Sequence, residues 1–448
     1  MYESITPWRS IVTAPFLKRG VFQGVIAWVF LGMSMVCSEA ADWPQWRGPN
    51  RDGTSSDSSA FSVWPPVELW RVSLTPNASG FASPIVSEGR VYVMGGFASY
   101  PEAQDVMCCF DAVTGTSLWT NSWTSANSCG GGPGSTPVIH ENELYAISHD
   151  GVLRCLDKIT GTNLWSVSLS HITGDDNCAS PLIEGDLVIL NMGQSGVAVR
   201  RSAPHDVVWE SAAGWPEYAS PVACTIGDER LVAIMAQTNF VLVAPDDGRI
   251  VAGIPWPGAL SVPDPIVFGN RFFISTGDGA GYCGVVEYTN GVLSTVWQNP
   301  NNVGLVTKAG NFVVIGDYVY GVECDGSADW GVFRCLDLRD GSEMWSTNAI
   351  NLHDNMSTTI AVGDKVIFST RWGGVLVAKA TPTGFDMEGR SKISIDTAIT
   401  PAYANGRLYI RDRNGWLVCL SVGTSASAGV VAFSATTYEV EKGQVFCT

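Results

Sequence analysis

The chain has 448 residues, with 26 Lys and Arg against 43 Asp and Glu, so its formal net charge is −17. Hydrophobic residues make up 46% of the chain and charged residues only 15%, a balance that excludes an intrinsically disordered protein. The acidity also argues against a nucleic-acid-binding protein, because that class neutralises phosphates with Lys and Arg. The 48 Gly and 17 Trp favour β structure with many tight turns.

Residues 1–40 have the order of a secretory signal peptide. Basic residues up to Arg19 precede an uncharged apolar run, and the small residues Ser38 and Ala40 stand at the −3 and −1 positions of a cleavage site. A retained membrane anchor and a lipoprotein modified at Cys37 are the alternatives. We expect cleavage, which leaves no membrane span and a mature protein that is secreted or periplasmic in a bacterial cell envelope.

Residues 41–66 follow the signal peptide and are rich in Trp, Pro and Ser. Their composition does not predict a regular element. We expect this N-terminal segment to pack on the outside of the fold or to plug one of its faces.

The next part of the chain repeats. Three segments have the order Asp, three residues, Gly, three residues, Trp, which predicts a strand, a turn and a second strand. Gly suits the turn position that needs a positive φ, and the Asp can accept hydrogen bonds from the turn backbone. The repeat residues are Asp111, Gly115 and Trp119, then Asp157, Gly161 and Trp165, then Asp337, Gly341 and Trp345.

Each repeat is one four-stranded unit. A Ser-Pro or Thr-Pro pair opens a first strand, a second strand follows a polar turn, and the Asp-to-Trp segment supplies the third and fourth. Four strands in about 40–50 residues is the signature of a β-propeller. The count predicts an all-β, eight-bladed propeller of four-stranded antiparallel blades over residues 67–421. The strand at 68–72 is expected to join the C-terminal strands and close the ring.

The blade sequence resembles a known repeat. A strand ending in Leu-Asp, followed by x-x-Thr-Gly-x-x-Leu-Trp, is similar to the pyrroloquinoline-quinone (PQQ) enzyme repeat, and the resemblance covers residues 67–421. That PQQ-like family includes quinoprotein dehydrogenases and also cofactor-free propellers such as BamB. Residues 43–53 resemble the start of exported, BamB-like propellers of environmental bacteria. Residues 422–448 read as a linker and an incomplete β segment, in which 433–443 resembles the start of a Calx-β domain.

The resemblance raises the question of a cofactor. Quinoprotein dehydrogenases hold PQQ and Ca²⁺ on the propeller axis and carry a disulfide between adjacent cysteines. Cys108 and Cys109 are adjacent here, but Cys109 aligns with Cys155, Cys335 and Cys419 at a core position of the repeat. No catalytic residue and no metal ligand can be assigned. We therefore expect no cofactor, with PQQ and calcium as the alternative.

The better candidates for ligand binding are polar residues at the end of the propeller where the D–A and B–C connections meet. They could bind a cation, a sugar or a basic partner segment, and an ordinary polar rim is the alternative. These rim candidates are Asp175, Asp176, Asn177, Glu217, Asp264, Asp354, Asn355, Arg371, Trp372 and Asp396. Cys129 and Cys178 precede the first strands of neighbouring blades, which makes a disulfide between them possible.

These observations favour an exported, monomeric, non-catalytic propeller that acts as a binding or protein-interaction scaffold in the envelope, with a protein or a carbohydrate as partner. The first alternative is an enzyme, a PQQ- and calcium-dependent alcohol or sugar dehydrogenase. The second is an adhesive or polysaccharide-binding module of a longer surface protein.

Overall fold

The structure is a computed structural model, and the residues that it describes form strands, turns and loops without a helix long and apolar enough to cross a membrane. They belong to one compact unit, Ala40–Thr448. The expected signal peptide and nearly all of the segment 422–448 lie outside the described residues. The structure describes residues 42–57, 61–62, 64–74, 78–97, 103–125, 132–169, 177–258, 261–277, 281–299, 304–307, 310–323, 331–347, 358–370, 373–393 and 399–423.

Thirty-three strands are present in these ranges. Two precede the first blade, namely β1 (Thr54–Ser55) and β2 (Val67–Ser73). Blade 1 contains β3 (Ile85–Ser87), β4 (Arg90–Phe97), β5 (Gln104–Asp111) and β6 (Ser117–Thr124). Blade 2 contains β7 (Val138–His140), β8 (Glu143–Ile147), β9 (Val152–Asp157) and β10 (Asn163–Ser168). Blade 3 contains β11 (Leu182–Glu184), β12 (Leu187–Leu190), β13 (Val197–Arg200) and β14 (Val207–Glu210).

The remaining blades continue in the same order. Blade 4 contains β15 (Val222–Ile226), β16 (Glu229–Ala236), β17 (Asn239–Val243) and β18 (Ile250–Pro255). Blade 5 contains β19 (Ile266–Phe268), β20 (Arg271–Ser275), β21 (Cys283–Thr289) and β22 (Val292–Asn299). Blade 6 contains β23 (Val313–Ile315), β24 (Tyr318–Glu323), β25 (Val332–Asp337) and β26 (Glu343–Ser346). Blade 7 contains β27 (Thr358–Val362), β28 (Lys365–Thr370), β29 (Gly374–Lys379) and β30 (Asp386–Lys392). Blade 8 contains β31 (Ala402–Ala404), β32 (Arg407–Arg411) and β33 (Trp416–Ser421), completed by β2.

The predicted eight-bladed propeller is confirmed, because blades 1 to 7 each have antiparallel strands A to D in chain order, and blade 8 takes its D strand, β2, from before the first blade. The A–B and C–D turns therefore lie at one end of the ring, which we call the turn end. The D–A and B–C connections lie at the other, which we call the loop end. The A strands are buried or half-buried except at Thr225, whereas outward-facing positions of the D strands are exposed.

The ring closes as predicted, through a sheet that joins the two ends of the repeat. Strand β2 pairs antiparallel with β33, so that Trp70 lies opposite Cys419. Strand β32 then ties blade 8 to blade 1, because Arg411 donates from Nη1 to the carbonyl oxygens of Ala82 (2.8 Å) and Met94 (2.6 Å). The pairing of β2 with β33 covers the strand edges that an open array of blades would expose to solvent.

Neighbouring blades are joined through the repeated Trp of strand D. Its indole Nε1 donates to a backbone carbonyl in the C–D turn of the next blade, while its ring packs on that turn. At the junction of blades 2 and 3 the turn residue is His205, whose ring stacks on Trp165 with 4.4 Å between centroids. The Trp-to-carbonyl pairs are Trp70 with Ala112, Trp119 with Lys158, Trp209 with Pro245, Trp297 with Leu338 and Trp345 with Thr381.

The turn beneath each Trp is built by the repeated Asp. Asp157 Oδ1 accepts hydrogen bonds from the backbone N–H groups of Ile159 (3.0 Å) and Thr160 (2.7 Å). The bonds from Thr160 are the main cause that lowers the pKa of the Asp157 carboxyl. Gly161 completes the turn with φ of +72°, against the face of Trp119.

A row of three side chains crosses the B, C and D strands of several blades. Tyr92 lies opposite Cys109, which in turn lies opposite Trp119. The same row recurs as Tyr145, Cys155 and Trp165, as Tyr320, Cys335 and Trp345, and as Tyr409, Cys419 and Trp70. The small thiol fills the space between two rings, which explains why Cys recurs in the sequence.

The contact between Gly161 and Trp119 can be tested by adding one methyl group. Gly161→Ala places a Cβ on the Trp119 ring and strains a positive-φ backbone, so we expect a loss of about 2–4 kcal/mol in the free energy of unfolding. Gly185→Ala is the matched control, because Gly185 has φ of +56° with no atom within 4 Å of the added Cβ. Urea unfolding measures both, and equal losses would show that the Trp contact contributes nothing.

The buried thiols should be unreactive in the folded protein. Burial raises the pKa of Cys109 to about 11 and that of Cys335 to about 12, so the reactive thiolate is scarce at pH 8. We expect alkylation of Cys109, Cys155, Cys224, Cys335 and Cys419 at pH 8 to be at least about 100-fold slower in the native than in the urea-unfolded protein. Peptide mapping by mass spectrometry after iodoacetamide treatment measures this, and equal labelling rates would contradict it.

Candidate functional site: the axis and its N-terminal plug

The N-terminal segment lies on the propeller axis, against the innermost strands. We call residues 42–57 the axial plug. Strand β1 within it pairs in parallel with β27, the A strand of blade 7. Trp43 pairs with Val86 of β3, and the two N–H···O distances between them are 2.9 and 2.8 Å. Of the two places that the sequence left open for residues 41–66, these contacts favour the plug for residues 42–57, whereas Trp64 lies against Gly389 of β30, the outermost strand of blade 7.

The plug enters and leaves at the turn end. Asp42 Oδ2 accepts a hydrogen bond of 2.9 Å from the N–H of Glu88 in the A–B turn of blade 1. The carbonyl of Ser55 accepts one of 2.8 Å from Gly363 in the A–B turn of blade 7. Between these points the chain reaches the loop end, where Pro49 and Asn50 are exposed to solvent. The plug therefore fills the axis along the length of the A strands.

Polar contacts link the plug to blades 1, 2, 3, 5, 6, 7 and 8. Two buried guanidinium groups make several of them. Arg51 donates to the carbonyl of Pro181 (2.7 Å) and to that of Ser180 (3.2 Å), both at the start of blade 3. Arg47 donates to the carbonyl of Phe312 at the start of blade 6. The other links are Asp42 with Glu88, Pro44 with Ile139, Trp46 with Asp264, Gly53 with Ala361 and Asp57 with Tyr403.

A belt of hydrogen bonds runs past the plug near the loop end, from blade 1 to blade 6. In blades 2 to 6, the residue two positions before the A strand uses its side-chain oxygen to accept the backbone N–H of its counterpart in the preceding blade. The donor and acceptor pairs are Ser83 with Thr136 (2.9 Å), Thr136 with Ser180 (3.0 Å), Ser180 with Ser220 (2.9 Å), Ser220 with Asp264 (2.7 Å) and Asp264 with Asn311 (3.1 Å). The Ser-Pro and Thr-Pro pairs of the sequence are thus the belt positions.

Asp264 is the point where the belt and the plug meet. Its Oδ1 accepts the Ser220 N–H, and its Oδ2 accepts the Trp46 indole N–H at 2.6 Å. Arg47 Nη1 lies 3.8 Å from the same Oδ2, and both side chains are buried. Burial raises the pKa of the Asp264 carboxyl, while Arg47 and Arg51 oppose that rise.

Burial has the opposite effect on the two cations of the plug. It lowers the pKa of the Arg47 guanidinium, and it lowers that of Arg51 to about 10. Both groups are accommodated by carbonyl oxygens and by the Asp264 carboxylate, since a buried cation needs several acceptors. The arrangement can hold a peptide segment in place, and it leaves no carboxylate of the belt open to a cation.

Three of the rim candidates from the sequence lie in the part of the chain that the structure describes. Asp264 is 2% exposed and engaged as above, so it is not a residue of an open rim. Glu217 Oε2 accepts the Ser261 N–H at 3.0 Å, and Asn177 Nδ2 donates to the carbonyl of His149 at 2.9 Å. The side chains of all three therefore make hydrogen bonds to backbone groups of neighbouring segments. The others, Asp175, Asp176, Asp354, Asn355, Arg371, Trp372 and Asp396, lie outside the described residues, and their role stays a prediction.

Sequence reasoning missed Trp46, Arg47 and Arg51 as the residues that hold the axis. Two signals were present. The segment placed two cations beside aromatic and turn residues, and Asp264 precedes Pro265 at the position that Ser or Thr occupies in other blades. Alignment on the Pro would have assigned Asp264 to the belt instead of the rim.

The cysteines fall into two cases. Cys108 and Cys109 are consecutive on β5 and point to opposite faces, since Cys108 packs in the core beside blade 8 and Cys109 in the core beside blade 2. Both thus serve as core residues. Cys178 is half-buried, and its predicted partner Cys129 lies outside the described residues.

The described residues by themselves supply no calcium site. No group of three or more His, Cys, Asp or Glu among them could hold a metal ion. The one belt carboxylate, Asp264, is already committed to Trp46, Arg47 and Ser220. The guanidinium and indole donors on the axis instead suit hydrogen bonds to peptide carbonyls and to a carboxylate.

The fold and its repeat define the class of PQQ-like β-propellers. The family model described as outer membrane protein assembly factor BamB matches residues 67–347, more than half of the chain. The chain belongs to this family. No curated protein matches the sequence at a significant level.

Solved structures of propellers are similar in fold. BamB from Moraxella catarrhalis is 16% identical with a TM-score of 0.58, over 80% of this chain and 99% of that one. A europium-containing methanol dehydrogenase is 13% identical with a TM-score of 0.64, over 83% and 89%. The quinohemoprotein alcohol dehydrogenase of Comamonas testosteroni is 13% identical with a TM-score of 0.62, over 88% and 82%. At these identities the likeness shows the fold alone, and it extends to BamB and to two dehydrogenases.

The node at Asp264 predicts a specific loss of stability. Asp264→Asn removes the main counter-charge of the buried Arg47 and Arg51, so we expect a loss of about 3 kcal/mol in the free energy of unfolding. Asp247→Asn is the control, because Asp247 pairs with Arg249 at the exposed surface and should change stability by less than about 0.5 kcal/mol. Urea denaturation distinguishes the two, and equal stabilities would remove Asp264 from its structural role.

Proposed function

We propose that this protein is an exported, non-catalytic propeller that works as a binding scaffold in the cell envelope. The observation that carries the proposal is the axial plug. The chain's own residues 42–57 occupy the axis, and they do so through a dense set of hydrogen bonds. The binding surfaces are then the outer faces and the loop end of the ring.

Further support comes from the family and from charge. Membership of the BamB family favours protein interaction in the envelope, and the expected signal peptide would deliver the chain there. A net charge of −17 favours neutral or basic partners over nucleic acids and acidic polymers. We infer that the mature protein is a monomer whose partner is a protein or a carbohydrate.

The dehydrogenase alternative makes a different demand on the axis. It needs calcium ligands that converge there, and the described belt offers one carboxylate that is already bound to the plug. Four of the rim carboxylates, Asp175, Asp176, Asp354 and Asp396, belong to connections outside the described residues. A direct titration therefore decides between the scaffold and the dehydrogenase.

The test is a titration of the purified mature chain with PQQ in excess Ca²⁺. Binding is measured by isothermal calorimetry and by the shift in melting temperature. We expect no saturable binding up to high micromolar PQQ from a protein that melts cooperatively. The Asp264→Asn variant serves as a second sample, because a loosened plug should not create a calcium-dependent site. Saturable binding that disappears on chelation of calcium would overturn the scaffold proposal and favour the dehydrogenase.

A further inference from the structure

A large aromatic side chain stands exposed at the loop end, on the connection from β14 of blade 3 to β15 of blade 4. Trp215 is 59% exposed, the largest exposed fraction of any Trp among the described residues. Exposure of so large an apolar surface is unfavourable in water, and exposed Trp residues are enriched where proteins bind ligands and partners.

The backbone around this indole is held in place. Ser195 Oγ donates to the carbonyl of Gly214 at 2.8 Å, and the N–H of Gln237 donates to the carbonyl of Trp215 at 3.0 Å. Pro216 and Ala236 form an antiparallel bridge. The residues on both sides of Trp215 are therefore anchored to the B–C connections of blades 3 and 4. An indole presented by an ordered backbone loses less entropy when it binds.

The residues of the two B–C connections whose hydrogen bonds hold the Ala213 and Trp215 backbone are uncharged and polar. Glu217, two residues after Trp215, carries a carboxylate that accepts the Ser261 N–H. The carbonyl of Gln194 accepts the N–H of Ala213 at 3.0 Å, and Asn239 Nδ2 donates to the carbonyl of Ala213 at 3.4 Å. The side chains of Gln194 and Gln237 are exposed, as is that of Thr238 between Gln237 and Asn239. We call Gln194, Trp215, Gln237, Thr238 and Asn239 the Trp215 platform.

We propose that the Trp215 platform binds a neutral polysaccharide. A pyranose ring has an apolar face of C–H groups that stacks on an indole, and its hydroxyls are both donors and acceptors. Carboxamide and hydroxyl side chains match such hydroxyls, because they also donate and accept. This inference rests on the proposed scaffold function and names its ligand class.

Charge selects the neutral class. The platform residues carry no cation that would pair with a uronate or sulfate, and the chain as a whole is at −17. An apolar protein partner would be expected to meet aliphatic side chains beside the Trp, whereas the exposed residues of the platform next to it in the fold are amides and a hydroxyl.

The experiment uses the full mature chain and defined oligosaccharides. Hexasaccharides of β-1,4-glucan, β-1,3-glucan, β-1,4-mannan and β-1,4-xylan are titrated by calorimetry, with oligogalacturonate as the acidic probe. We expect at least one neutral hexasaccharide to bind and oligogalacturonate not to bind. Trp215→Ala should weaken that binding at least about tenfold, and Gln194→Ala should weaken it less.

Trp416→Ala is the matched control. Trp416 is 39% exposed at the start of β33 in blade 8, outside the platform, and its loss should leave the affinity unchanged. Equal melting temperatures of the variants and the parent establish that the fold is intact. Absence of binding to every neutral probe, binding of oligogalacturonate alone, or undiminished binding by Trp215→Ala would overturn the inference.

The outcome is separable from that of the scaffold proposal. Calcium-dependent PQQ binding removes the scaffold proposal whatever the sugars do. Failure of all sugars with no PQQ binding removes only the saccharide as ligand, and it leaves a protein partner for the same scaffold.

Discussion

The contact on which the rest of the structure depends is that of the buried Asp264 carboxylate with the plug and the belt. One of its oxygens receives the N–H of Ser220 and the other the indole N–H of Trp46, while Arg47 lies beside it. A buried carboxylate is stable only when such donors surround it. The same set of contacts therefore aligns neighbouring blades and fixes the segment on the axis.

Around Asp264, two repeated kinds of hydrogen bond hold neighbouring blades together. Near the axis, the belt joins blades 1 to 6, in which the N–H before the A strand of one blade donates to a side chain of the next. At the outer edge, the D-strand Trp of blades 1, 3, 5, 6 and 8 donates to a carbonyl in the C–D turn of the next blade. A ring of such units is stabilised mainly by contacts between neighbours, so the closing sheet of β2 and β33 completes a circuit that would otherwise end in two open edges. With the axis filled and the blades locked, the surfaces left for recognition are loops and edges, which is consistent with a scaffold.

Much of the fold could be predicted because its signals are local and repeated. Asp157, Gly161 and Trp165 mark a turn and a strand by spacing alone, since each residue type meets a need of the backbone next to it. The candidate site was harder. Asp264 was expected on an open rim, and it is instead a buried belt residue, because Arg47 and Trp46 reach it from more than 200 positions away in the chain. No local pattern carries a contact of that range.

The sequence by itself determined the class of fold, the number of blades and the closing of the ring by β2 and β33. Strand periodicity and turn chemistry depend on neighbouring residues, so these features can be predicted locally. It also determined which cysteines are core residues, since they recur in register with the repeat. Only the tertiary structure decided that residues 42–57 fill the axis and that Trp215 stands exposed on an ordered connection. Those outcomes depend on which side chains come into contact across blades. Whether a side chain is buried by such contacts is decided only when the ring has closed.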